Sequence, residues 1–332
     1  MPSKFYKPPY SITDEAIRLI AEISQILGEL GATTFKKLSV ELRRKNRIRT
    51  IKSTLAIEGH SFDETQITAV LEKKRVIGTK KEILEVQNTL CLYEAMDQFR
   101  SYKVKDFLRA HKILMKGLLS DAGHYRAKNV GIFDKQEVKH IAPKPSFVPQ
   151  LMDNLFKWMK SANKIHPLVL GSVVHYEIEF IHPFEDGNGR VERFWQGLVL
   201  REFNTFFKYV PIESLIEKNQ KKYYAALKAA DKEGNSTVFV EFMLHIIKAA
   251  LREMSADIIG IIHTTEDRLR EACLHFKAQA FARKDYMQLF KNISSATASR
   301  DLKKGVKRGR LQNIGRGNQS RYVAIKRVFH EP

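Results

Sequence analysis

The segment His182-Pro183-Phe184-Glu185-Asp186-Gly187-Asn188-Gly189-Arg190-Val191-Glu192-Arg193 gathers the side chains needed to act on a phosphate. Histidine has a proton affinity suited to taking a proton from a hydroxyl nucleophile, which makes His182 a candidate general base. Asp186 supplies a hard oxygen ligand of the kind Mg²⁺ takes. Gly187 and Gly189, with Asn188 between them, let backbone N–H groups approach a phosphate closely. Arg190 and Arg193 are three apart, so on a helix they share a face and can clamp phosphate oxygens. Asp-Gly-Asn-Gly alone is also a good turn sequence, and Gly-x-Gly is a weak phosphate signal. The added histidine and paired arginines tip the reading toward chemistry on a nucleotide phosphate.

These groups need two helices and a loop to position them. A helical run ending in Ile178-Glu179-Phe180-Ile181 delivers His182 to the loop, and a new helix is expected from about Gly189. The rest of the chain reads as mainly α. A helix starts at Thr13-Asp14-Glu15, with Ile17, Ile20, Ile23, Leu27 and Leu30 at three- and four-residue steps. Ile83, Val86, Leu90 and Tyr93 repeat the pattern. Phe107, Ala110, His111, Leu114 and Leu118 predict another helix, closed by Gly123. Phe239 to Met254 predicts a long amphipathic helix. Between them, 130–141 has short β-type runs around a polar centre, which predicts a hairpin. Near the C-terminus, helices from Arg283 and over Ser294–Leu302, a loop at Gly309–Gly317 and a strand at Tyr322–Ile325 read as helix, turn, helix, wing.

The chain has 332 residues, 43% of them hydrophobic, enough for a sizeable core in about two domains. It contains no run of eighteen apolar residues and no secretory signal pattern, so a cytoplasmic protein without a membrane span is expected. Cys91 and Cys273 are far apart and read as reduced thiols. The net charge of +20 favours acidic partners or general solubility. Half of that excess lies beyond Ala282, where thirteen Lys or Arg face only Asp285, Asp301 and Glu331. A second basic run, Arg43 to Arg49, is expected to form a solvated helix face.

The His182–Arg193 segment resembles the signature of the Fic (Fido) family, histidine-x-phenylalanine-x-acid-glycine-asparagine-glycine-arginine-x-x-arginine, at every specified position. Gly123-His124-Tyr125-Arg126, the hairpin 130–141 and Tyr223-Tyr224-Ala225-Ala226-Leu227 are also similar to that family, so the resemblance covers roughly residues 50–250. It implies a protein adenylyltransferase with ATP and Mg²⁺. His182 would deprotonate a Ser, Thr or Tyr hydroxyl of a protein target, the chain itself included. Asp186 would hold Mg²⁺, Gly187, Asn188 and Gly189 would form the anion hole, and Arg190 and Arg193 would bind the outer phosphates. A flap carrying Val130, Ile132, Phe133 and Val138 would register the target as an added strand. Phosphocholine, UMP or phosphate donors, and AMP removal, occur in the same family. Homodimers occur in it as well.

Upstream, Ser53-Thr54-Leu55-Ala56-Ile57-Glu58-Gly59-His60 is at face value a helix C-terminus. It also resembles the family's inhibitory helix, which implies that Glu58, with Thr54 and Gly59, restrains the site by pairing with Arg193. The tail resembles a winged helix-turn-helix, which implies Ser295, Thr297, Ser299 and Arg300 toward double-stranded DNA. Lys303, Lys304, Lys307, Arg308 and Arg310 would then meet phosphates, with Arg316 in the wing. Such modules also mediate protein contacts. The expected organisation is therefore a helical region over 1–104 carrying the inhibitory helix (about 50–60), a Fic-type helical bundle with a small β-hairpin flap over 105–255, and a linker helix and small winged-helix domain over 256–332. The competing reading is a DNA-binding regulator whose catalytic-type domain senses nucleotide or removes AMP.

Overall fold

The computed structural model describes residues 6–37, 40–134, 137–261, 265–290, 293–315 and 320–325, with side chains described for all of these except 32–37, 131–134, 137–141 and 259–261. It resolves into two compact units, Met1–Met254 and Ser255–Pro332. Residues 1–104 and 105–254 thus share one unit.

The first unit is helical because its apolar residues recur at helical spacing and its polar residues cap the ends. Thr13 opens α1 (Asp14–Lys37), accepting from the Ala16 N–H at 3.1 Å, and the helix breaks at Gly31, where φ is 52°. Next comes α2 (Val40–Ile57). Capping boxes at Asp63/Gln66 and Thr79/Glu82 start α3 (Glu64–Leu71) and α4 (Lys80–Glu94). α5 (Val104–Leu114) stops short of Leu118, contrary to the helical spacing. The chain leaves the helix there and turns with positive φ at Gly117 and Gly123, and a side chain on Gly123 would meet the Leu108 carbonyl at 3.0 Å.

A hairpin follows, with β1 (Gly131–Asp134) antiparallel to β2 (Glu137–Ile141). Ile132 faces His140 and Phe133 faces Val138, with a bulge between the two pairs. Then come α6 (Val148–Ser161), α7 (Pro167–Ile181), α8 (Asn188–Phe203), α9 (Ile212–Lys218), α10 (Gln220–Glu233) and α11 (Thr237–Ile261). α7 and α8 are the central pair. Val173, Val174, Ile178, Phe184, Phe194, Trp195 and Leu198 on or between them are fully buried. Phe107 joins Phe184 and Trp195 at ring separations of 5.3 and 5.1 Å. Each such side chain contributes about 2 kcal/mol by leaving water, so the turn between α7 and α8 stands on a fully buried apolar floor.

The basic run in α2 is a solvated face only in part: Arg44 and Lys45 are exposed. Asn46 and Ile48 are buried, Arg44 pairs with Glu72, and Arg49 reaches Glu253 at 3.1 Å. Arg47 lies 3.8 Å from Glu94. Neighbouring helices supply carboxylates to Arg44, Arg47 and Arg49.

The second unit contains α12 (Thr265–Phe276), β3 (Phe281–Ala282), α13 (Arg283–Leu289), α14 (Ser295–Lys307), β4 (Leu311–Ile314) and β5 (Arg321–Ala324), with antiparallel sheet order β3-β5-β4. Leu269, Phe281, Tyr286, Leu302 and Leu311 form its core. β4 lies where the sequence suggested only a loop. Leu311 is its one buried residue, so there was no alternation to read, and Gly305 admits it: a side chain there would meet Leu311 at 2.8 Å and Leu269 at 2.7 Å. Buried Asp301 ties the unit together, accepting from Arg268 Nε at 2.6 Å and Thr265 Oγ1 at 2.7 Å.

Among the described residues no helix is long and apolar enough to cross a membrane. Cys91 is exposed, Cys273 is buried, and both are free thiols.

Candidate active site

α7 ends by delivering His182 in the left-handed conformation, φ 48° and ψ 63°, with its N–H on the Ile178 carbonyl at 2.9 Å. Such a backbone costs a non-glycine residue about 1–2 kcal/mol, so its surroundings must hold it there. Nδ1 of His182 faces Glu179 Oε2 at 3.7 Å, an ion-pair distance rather than a hydrogen bond.

The loop from His182 to Gly187 is locked from two sides. The Asn188 amide bridges it, donating to the Phe184 carbonyl and accepting from the Phe184 N–H, both at 2.9 Å. Its side chain is thereby committed to the loop, and only its backbone N–H is left to meet a ligand. His111 stacks flat on Phe184 at 3.6 Å. It accepts from the Gly123 N–H through Nδ1 and donates through Nε2 to the Asp186 carbonyl, each at 2.9 Å. Burial pulls its pKa down to about 4, which matches this neutral tautomer. In the sequence His111 is just one member of an apolar helical face, so its role carried no signal.

Gly187 (φ 82°) precedes α8 with no side-chain cap, leaving the first-turn N–H groups facing outward with the positive end of the helix. Asp186 stands at the loop tip with its side chain 53% exposed, while Arg190 beneath it is 4% exposed. Arg190 lies 3.4 Å from Asp186 and 3.6 Å from Glu85. Its Nε and Nη1 are buried without a hydrogen-bond partner among the described residues. One α8 turn on, Arg193 is held by the end of α2. It donates from Nε to Thr54 Oγ1 at 3.0 Å and from Nη2 to the Thr54 carbonyl at 3.2 Å and Glu58 Oε1 at 2.5 Å. The two predicted arginines therefore differ: Arg190 is buried with Nε and Nη1 free of hydrogen bonds, while Nε and Nη2 of Arg193 are engaged by Thr54 and Glu58.

Glu58 reaches Arg193 because α2 ends in a Schellman motif. The His60 N–H bonds the Leu55 carbonyl at 3.2 Å, the Gly59 N–H bonds the Ala56 carbonyl at 2.9 Å, and Gly59 has φ 92°. Gly189 makes room on the other side, since a side chain there would sit 2.5 Å from Glu58 Oε1 and 3.0 Å from Arg193 Nη1.

Behind His182 and Arg193 lies an acid pair that no sequence motif marks, with Glu192 buried and Glu179 half-buried. Burial opposes charge on Glu179, but His182 and Glu192 beside it hold its carboxyl down to about 2. Glu192 moves the other way: burial and the Glu179 charge push it well up. The environment therefore favours the charged form of Glu179 and the neutral form of Glu192. Glu192 also accepts from the Tyr223 hydroxyl at 3.0 Å.

Of the expected flap residues, Val130 is half-buried beside the hairpin, while the side chains of Ile132, Phe133 and Val138 lie outside the described ones. In the second unit Arg300, Lys303 and Lys304 are exposed along α14, as is Ser295 at its start, whereas Thr297 is half-buried. Ser299 accepts from Arg283 at 3.0 Å. Arg308 and Arg310 turn to Glu266 instead of standing free. Arg316 lies outside the described residues.

Comparison with known proteins gives a consistent result. The Fic/DOC family profile matches residues 101–200. A Fic family protein of Desulfovibrio desulfuricans G20, known from its crystal structure, is 38% identical with a TM-score of 0.75, over 96% of this chain and 98% of that one. Fic-1 of C. elegans shares the fold at a TM-score of 0.60 and 21% identity, over 75% of this chain and 72% of that one. The protein named protein adenylyltransferase Fic from Drosophila ananassae is 30% identical over 220 residues, 62% of this chain and 41% of that protein. This chain thus spans about two fifths of the curated relatives it matches. With the signature seated between α7 and α8 and a near full-length relative of the same fold, the chain belongs to the Fic/DOC family.

Proposed function

We propose that this protein transfers AMP from Mg·ATP to hydroxyl groups of proteins, its own included, and that Glu58 holds it back. The observation that carries this reading is the contrast between the two arginines. A site otherwise laid out for a polyphosphate has one of its clamps, Arg193, bonded to Glu58 and Thr54.

His182 would take the proton of the target hydroxyl. The freed oxygen forms a bond to the α-phosphorus as the bond to the bridging oxygen breaks, and that electron pair leaves with pyrophosphate. The N–H groups at the start of α8 would offset charge on the phosphates, a contribution that is largest where donors are fixed beforehand. The exposed Asp186 carboxylate and the Arg190 donors that make no hydrogen bond fit a cation bound together with an anion. No group of three His, Cys, Asp or Glu among the described residues would hold a metal alone, so Asp186 would share Mg²⁺ with the phosphates. When bound, Mg²⁺ supplies neutralisation of phosphate charge. The β1–β2 hairpin would dock the target through main-chain bonds.

The test incubates Glu58→Gly and Glu58→Gly/His182→Ala proteins with Mg²⁺ and ATP labelled at either the α- or the γ-phosphate. Label retained from the α-position alone, and lost with His182, supports AMP transfer. Retained γ-label would replace it with phosphate transfer.

A second reading concerns Ser255–Pro332. Its order of helix, strand, two helices and two strands, with sheet order β3-β5-β4, suits a winged helix, and α14 offers exposed Arg300, Lys303, Lys304 and Lys307 to a duplex. DNA binding by this unit would make the protein a regulator as well as an enzyme. Duplex affinity that falls steeply with salt supports it, and affinity unchanged after deletion of 275–332 counts against it.

A further inference from the structure

Arg126 is buried, 4% exposed, yet its guanidinium bonds only main-chain carbonyls. Nε donates to the His182 carbonyl at 2.7 Å, and Nη2 to the Pro143 carbonyl at 2.6 Å and the Ile181 carbonyl at 3.3 Å. Nη1 donates to the Lys128 carbonyl at 3.0 Å, and the Arg126 N–H adds a bond to the Pro183 carbonyl at 2.9 Å. Lys128 stands just before β1 and Pro143 just after β2. Ile181 and His182 are the last turn of α7 and the strained residue that ends it. One planar group therefore joins both legs of the hairpin to the backbone that aims the histidine.

We infer that Arg126 is a positioning residue that couples the hairpin to His182, so that a hydroxyl presented on the hairpin meets the imidazole in register. The inference rests on the reading of the site as a hydroxyl-modifying one. Three physical points carry it. The carbonyls at the end of α7 have no intrahelical partners, and a cation there satisfies them and suits the negative helix end. The left-handed backbone of His182 is unfavourable by itself and needs external bonds to persist. A guanidinium can serve several acceptors in fixed directions, which an ammonium cannot. Reactions of this type are sensitive to misplacement of about 1 Å, which can cost on the order of 10²-fold in rate.

The experiment places Arg126→Ala and Arg126→Lys in the Glu58→Gly protein and reads three quantities: Mg·ATP affinity by calorimetry, transfer to the protein's own hydroxyls, and peptide-level hydrogen exchange. Nucleotide affinity is expected to change less than about threefold, because Arg126 touches none of the phosphate-facing groups, while transfer falls on the order of 10²-fold. Lysine should restore little of it, and added guanidinium ion should restore part of the alanine variant's rate but none in a His182→Ala protein. Exchange should rise together in the hairpin and in 178–184, with α4 and α8 unchanged. Full transfer by Arg126→Ala, or exchange that rises in the hairpin alone, overturns the inference. If alanine unfolds the protein, Arg126→Lys decides between the same two outcomes through its transfer rate and exchange pattern. If the Glu58→Gly protein with Arg126 intact transfers no AMP, the proposed activity fails, and the exchange pattern still decides the role of Arg126.

Discussion

Glu58 Oε1 sits 2.5 Å from Arg193 Nη2, bringing the end of α2 onto the second turn of α8 across 135 residues of chain. Arg193 is 2% exposed in its side chain and Glu58 33%, so the pair is sheltered on one side and open on the other. The carboxylate is the removable partner and the arginine the fixed one.

Replacing Glu58 with glycine should therefore free Arg193 without disturbing its seat on Thr54. Transfer to protein is expected to rise on the order of 10²-fold, since breaking a sheltered ion pair by removing one partner is worth a few kcal/mol. The measurement is initial rate with α-labelled ATP. Equal rates in parent and variant would refute the restraint.

Thr54→Val tests the other half of the clamp. It removes the acceptor for Arg193 Nε and keeps the shape of the side chain. Stability should fall by about 1 kcal/mol, the usual worth of one hydrogen bond, and activity should rise only a few-fold because Glu58 remains. Urea unfolding and the transfer rate, measured together, check it. A rise equal to that of Glu58→Gly would mean Thr54 is the main restraint.

Glu177 gives a pH dependence unrelated to catalysis. Burial pushes its pKa up to about 7, although the Tyr6 hydroxyl donates to it at 2.6 Å. A carboxyl raised in the folded state contributes stability fully below its unfolded pKa, near 4.5, and loses it as pH rises through about 7. The loss amounts to about 3 kcal/mol at most. Glu177→Gln should flatten the stability profile between pH 5 and 8. Parallel profiles for parent and variant would show that Glu177 is not the group responsible.

For the second unit, Lys303→Ala/Lys304→Ala should weaken duplex binding about equally for all sequences. It should also lower the slope of log affinity against log salt by about 2 in magnitude. Fluorescence anisotropy across a salt series reads both. An unchanged slope would remove α14 from the phosphate contacts.

Much of the site was legible because its chemistry lies in one contiguous segment. His182, Asp186, the glycines and Arg190 take their places from the local succession of helix, turn and helix, and glycine at a positive φ marks the turn directly in sequence. The hairpin at 130–141 was legible for a similar reason. Four features were not. Helical spacing extended α5 to Leu118, where turns replace it. A strand with one buried residue, Leu311, left no period to detect. The arginines of α2 read as solvated because their partners, Glu72, Glu94 and Glu253, lie on other elements. Arg308 and Arg310 likewise read as free because Glu266 lies two helices and a strand earlier in the chain.

The sequence by itself determined a mainly helical protein with a phosphate-type loop, since periodicity, capping and the Gly-Asn-Gly turn act within a few residues of one another. Only the tertiary structure decided that Asn188 locks the loop, that Arg190 keeps unused donors while Arg193 is held by Glu58, that Glu179 and Glu192 are pushed in opposite directions, and that Arg126 grips both the hairpin and His182. Each of these depends on a side chain meeting a group brought up by another element. Burial then fixes the charge or bond that an exposed residue would have left free, and no local pattern encodes that meeting.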